Sequence, residues 1–151
     1  MAVSEDIYSL LIPLEKERLV VPRSSVAEVI RYAAPVGAAD EDSWFRGRVT
    51  WNTIEIPIVS IERLSGLTPP VPAGKTRIVV FQPVSAGTTP YGLLAEGFPQ
   101  MLRVSREVME LDQAYKPPED GAIICRVQLL QEQALIPDLE LIEQSLSKLA
   151  A

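Results

Sequence analysis

The chain has 151 residues, with 14 Lys+Arg against 20 Asp+Glu, a formal net charge of −6, and no histidine. Without imidazole there is no Ser-His-Asp or Cys-His triad, no His-ligated zinc or iron site and no histidine phosphotransfer module. A single cysteine, Cys125, leaves no disulfide framework or four-thiolate site, and the acidic balance does not suit a nucleic-acid backbone.

No stretch approaches the ~20 apolar residues of a membrane helix. The segment Met1-Ala2-Val3-Ser4-Glu5-Asp6 is acidic and lacks the basic-then-apolar order of a signal peptide, so a cytoplasmic protein is expected. The length fits a single domain over 1–151 with a core of its own.

Thirteen prolines punctuate short apolar runs, which a protein of long helices does not tolerate. In chain order, strands are predicted at Tyr8–Ile12 and Leu19–Val21. Ser24–Ile30 has helical spacing with serines suited to an N-cap. A strand–turn–strand follows over Arg48–Val59, then a short helical turn at Ser60–Leu64 stopped by Gly66. Further strands are predicted at Ile78–Phe81, Tyr91–Leu94 and Ile123–Val127. The last element is a helix from Asp138, its cap, to Leu149, with Leu139, Ile142, Leu146 and Leu149 on one stripe. The class is all-β with short helices.

One plan runs twice. Arg48–Leu64 and Arg126–Ile142 each read strand, polar turn, strand, an Ile-Pro step and a helix, the second with two extra residues before its proline. A weaker echo precedes each copy. Ile12-Pro13-Leu14, a turn at Glu15–Arg18 and Leu19–Val21 match Gln82-Pro83-Val84, a turn at Ser85–Thr89 and Tyr91–Leu94. Short strands with strong turns bury a face by curling into small barrels.

The segment Ser43-Trp44-Phe45-Arg46-Gly47-Arg48-Val49-Thr50-Trp51-Asn52-Thr53-Ile54-Glu55-Ile56-Pro57-Ile58-Val59-Ser60-Ile61 resembles the central motif of the CheW-like domain. Leu19–Pro22 with Val26–Ile30, and Ala134–Leu139, are similar to that family's flanking segments. The resemblance spans roughly residues 7 to 145. It implies two SH3-like five-stranded β-barrels, approximately 7–68 with the C-terminal helix 138–149, and 75–137. It also implies a non-catalytic adaptor that couples the signalling tip of a chemoreceptor (a methyl-accepting protein) to the regulatory domain of a CheA-type histidine kinase. No cofactor, nucleic acid or direct membrane insertion is implied. The family's Arg-Gly turn falls on Asn52-Thr53, and its Asp before the helix falls on Ser60. Asn does not replace a bidentate guanidinium. This departure points to a divergent member, such as the ChpC-like accessory proteins of chemosensory systems controlling type IV pili.

No catalytic, cofactor or metal site is assigned. The candidate partner-binding residues are Arg46, Val49, Asn52, Thr53 and Ile58, on the hairpin that carries the motif. Gly47 is read as a positive-φ or bulge position. Trp44 and Phe45 are read as barrel-mouth core rather than as partner anchors, and Trp51 as core with Val49. Cys125 is read as a buried, inert thiol. Glu107, Glu110 and Asp112 are read as a solvated loop rather than an acid/base pair. Two other functions compete with the adaptor. A ligand-sensing barrel requires a cavity with convergent polar groups. A carboxylate-only enzyme requires two facing Asp/Glu, which no spacing supplies.

Overall fold

The computed structural model describes residues 7–149 apart from positions 39, 41, 86, 120 and 130. The N-terminal hexapeptide and Leu130 of the second repeat lie outside these described residues. The strands are β1 (Ile7–Pro13), β2 (Arg18–Pro22), β3 (Val26–Arg31), β4 (Phe45–Trp51), β5 (Ile54–Val59), β6 (Arg77–Phe81), β7 (Tyr91–Ala95), β8 (Gln100–Val104), β9 (Glu110–Leu111), β10 (Ile123–Gln128) and β11 (Gln133–Pro137). The helices are α1 (Ile61–Leu64) and α2 (Leu139–Leu149). They form two mixed sheets, ordered β8-β1-β2-β11-β10-β9 and β3-β6-β7-β5-β4.

The two orders are one pattern. Each first hairpin, β1-β2 or β6-β7, is flanked on one side by a single antiparallel strand, β8 or β3. On its other side it receives the second hairpin, β10-β11 or β4-β5, through a parallel pairing. The bulges coincide as well. The register shifts between Phe45 and Gly47 in one second hairpin and between Ile123 and Cys125 in the other. These positions align when Arg48 is set on Arg126. Ser60 Oγ accepts from Arg63 N at 3.2 Å, and Asp138 Oδ1 from Leu141 N at 3.0 Å, so both helices are capped, α2 by the Asp138 expected there.

The sheets do not follow the halves 7–68 and 75–137. The first sheet takes β1 and β2 from the first half and β8 to β11 from the second; the other takes β3 to β7. Each half starts a hairpin in one sheet and completes the other. The chain crosses after Pro22, where Val26–Arg31 finds the free edge of β6. The first sheet also has six strands rather than five.

That crossing explains a second correction. The helix expected over Ser24–Ile30 is a 3-10 turn at Arg23–Ser25 followed by β3. Val26, Val29 and Ile30 are β-branched and lose rotamer freedom in a helix, whereas pairing with β6 satisfies their backbone groups.

Three apolar clusters hold the fold. Leu11, Val20, Val104, Val127 and Ala134 fill the first sheet's inner face, and Val49, Ile56, Ile58, Ile78 and Val80 the second's. Between the sheets lies a larger cluster that includes Ile12, Leu19, Val21, Val79, Phe81, Tyr91 and Ile142. Neighbouring residues on one strand therefore enter different clusters, as Leu11 and Ile12 or Val79 and Val80 do. Strands buried on both faces read as continuous apolar runs. Gly92 is required where β7 meets β5: a Cβ there would lie 2.6 Å from Ile78 Cγ2 and 2.8 Å from Ile58 Cδ1.

Candidate partner-binding surface

The β4-β5 hairpin ends in Asn52 and Thr53, with φ of 48° and 67°, a left-handed pair of the kind that closes two-residue hairpins. Both are exposed. Asn tolerates this region; β-branched Thr is strained in it. Arg46 is half-buried, and its Nη1 donates to Ser43 O at 3.2 Å.

Val49 and Ile58 are not on the surface. Val49 is 8% exposed and Ile58 is 0% exposed, both inside the second sheet with Ile56, Ile78 and Val80. The register Val49↔Ile56 and Gly47↔Ile58 puts them on the inner face of the hairpin. The outer face of the same hairpin presents Arg48, Thr50 and Glu55. Arg48 lies 5.0 Å over the Phe45 ring.

Gly47 has a φ of 109°, and a Cβ there would stand 2.8 Å from Val36 O. The glycine thus lets Val36 and Arg48 exchange backbone hydrogen bonds of 2.8 and 3.0 Å beside the bulge. Trp44 packs against the central cluster and Trp51 against the second sheet's cluster, as core residues. Cys125 is half-buried rather than buried; it packs against the first sheet's cluster, and partial burial raises its thiol pKa. Glu107 lies in a 3-10 turn, Glu110 in β9 and Asp112 just after it. Glu110 thus belongs to a strand rather than a loop. Asp112 Oδ1 accepts from Ala114 N at 3.1 Å, a local turn bond and not an acid/base pairing.

The sequence did not disclose an apolar face on the first sheet. Ile7, Tyr8 and Met101 are 56%, 54% and 54% exposed. With Pro22, Arg23 and Ser24 they line a shallow hollow of about 520 Å³. Arg103 lies 5.3 Å over the Tyr8 ring and donates to its hydroxyl at 2.9 Å. β8, half exposed and without a Val/Ile run, had no strand signal. No helix among the described residues is long and apolar enough to cross a membrane.

Residues 9–146 match the model of the CheW-like domain, so the chain belongs to the CheW-like domain family. That family is one of non-catalytic scaffold and adaptor proteins of chemotaxis. No curated protein is similar enough to match. Among solved structures, the scaffolding protein TtCheW from Thermoanaerobacter tengcongensis is similar over 92% of this chain and 87% of that one. The TM-score is 0.73 at 12% identity, a likeness of fold.

Proposed function

We propose that this adaptor couples a chemoreceptor signalling tip to the regulatory domain of a CheA-type histidine kinase, within a chemosensory system controlling type IV pili. The observation that carries the reading is the family match across both sheets, residues 9–146. The exposed Asn52-Thr53 turn, where the family has Arg-Gly, supports a retuned partner rather than a general one. Arg46, Asn52 and Thr53 with the outer hairpin face form one contact surface in this reading. The apolar Ile7–Tyr8–Met101 face forms a second, since an exposed apolar patch rimmed by cations suits a protein partner.

Co-purification with such a kinase and a receptor tip tests the proposal. Binding of both is expected, and Asn52→Trp or Arg46→Glu should weaken kinase capture at least tenfold while circular dichroism stays native. Failure to bind either partner, alone or together, would sink the coupling role. Unchanged capture by both variants would sink the hairpin surface alone.

A further inference from the structure

The chain between α1 and β6 is fastened at both ends and bare between them. Helix α1 stops in a Schellman motif. Gly66 takes a φ of 81°, its N–H donates to Arg63 O at 3.2 Å, and Leu67 N donates to Glu62 O at 2.7 Å. At the far end the buried Thr76 closes a turn over Gly74 and Lys75. Its Oγ1 accepts from Ala73 N at 2.9 Å, and its own N–H donates to Ala73 O at 3.0 Å. Between these fastenings the backbone of Thr68–Pro72 takes part in no hydrogen bond among the described residues.

The sequence there is Thr68-Pro69-Pro70-Val71-Pro72. Each proline ring fixes its own φ and turns the residue before it away from the helical region, which steers the whole segment into polyproline II. That helix has three residues per turn and no internal hydrogen bonds, in keeping with the bare backbone. Its period also matches the exposure. Thr68 and Val71, one turn apart, are both exposed, while Pro69 and Pro70 are half-buried. Val71, at 86%, is the most exposed large hydrophobic side chain among the described residues.

An aromatic ring and two cations stand at the C-terminal end of the segment. Arg77 Nη1 donates to Gly74 O at 2.8 Å, and its guanidinium lies 4.6 Å over the ring of Phe98, which is 67% exposed in the β7-β8 turn. Lys75 Nζ lies 3.9 Å from Glu96 Oε2, yet the lysine side chain is 68% exposed. The chain from Gly66 to Gly74 is uncharged, so positive charge is confined to one end. We infer that Thr68–Pro72 is a docking ligand, a preformed polyproline II segment for the aromatic-lined groove of a protein partner whose acidic end meets Lys75 and Arg77. Proline rings and Val71 suit aromatic walls, and a segment already held extended from both ends loses little conformational entropy on binding. The segment shares no residue with the β4-β5 hairpin or the Ile7–Tyr8–Met101 face, so it stands whether or not those surfaces bind.

Titration of the full chain with an isolated SH3 domain, a probe with an aromatic, acid-edged groove, tests this by NMR amide shifts. The amides of Thr68, Val71, Gly74 and Lys75 should move, and those of the two sheets should not. Replacing two ring constraints together, Pro69→Ala with Pro72→Ala, should weaken binding about tenfold by freeing the unbound segment. Lys75→Glu should weaken it as well, and less so at high salt. No movement of these amides at a large excess of the domain, or movement centred elsewhere, would overturn the ligand. So would equal binding by the double variant, or by a domain whose groove aromatics are changed to alanine. Both prolines lie outside the strands and helices, and the titration of the unaltered chain decides the matter even if a variant fails to fold.

Discussion

At the scale of single residues, the hairpin turn shows a local cost. Thr53 holds a φ of 67° with a branched Cβ, which carries strain, and its Oγ1 bonds back to Asn52 O. Glycine adopts this conformation freely at some cost in unfolded-chain entropy. Thr53→Gly should therefore stabilise the fold by about 1 kcal/mol, read as a rise in urea midpoint with an unchanged slope. A decrease would mean that the Thr53 hydroxyl contributes more than the backbone strain removes. The same pair was legible in the sequence as a two-residue turn. That Val49 and Ile58 point inward was not, because alternation gives two faces without saying which is covered.

At the scale of elements, β-strands buried on both sides leave no slack at close approaches. Gly92 sits on the parallel β5-β7 pairing, with Ile78 and Ile58 where a methyl would go. Gly92→Ala should destabilise by about 1–3 kcal/mol by overpacking. Adding Ile58→Val, which removes the Cδ1 that would lie 2.8 Å from that methyl, should recover part of the loss in a double-mutant cycle. Strict additivity would show that the two side chains do not compete for this space. Helix α2 and the hairpins were legible from spacing, caps and prolines. Residues 24–30 were not, since Val-Ala-Glu-Val-Ile satisfies a helical stripe locally and only the free edge of β6 makes it a strand.

At the scale of the whole molecule, the halves are interlocked, and Glu143 ties α2 to the distant β6-β7 turn. Removing the Glu143 carboxylate leaves the Val84 and Ser85 N–H groups without that acceptor. Glu143→Ala should cost about 2–4 kcal/mol, and Glu143→Gln, which keeps one acceptor oxygen, clearly less. Thermal or urea unfolding of both variants checks this, and equal losses would assign the effect to packing instead.

The sequence by itself determined most of the elements, β3 and β8 excepted, with the repeat and the family, because periodicity, proline punctuation and caps are written in neighbouring residues. It also excluded imidazole and disulfide chemistry by composition alone. Only the tertiary structure decided which hairpins share a sheet, which strand faces are covered, and where β3 and β8 pair. Those outcomes depend on contacts between residues far apart in the chain. The crossing of the halves and the binding of the Glu143 carboxylate at the β6-β7 turn both arise in that way. No local pattern records an edge that stays open until another strand arrives, or a carboxylate whose backbone donors lie 58 and 59 positions away.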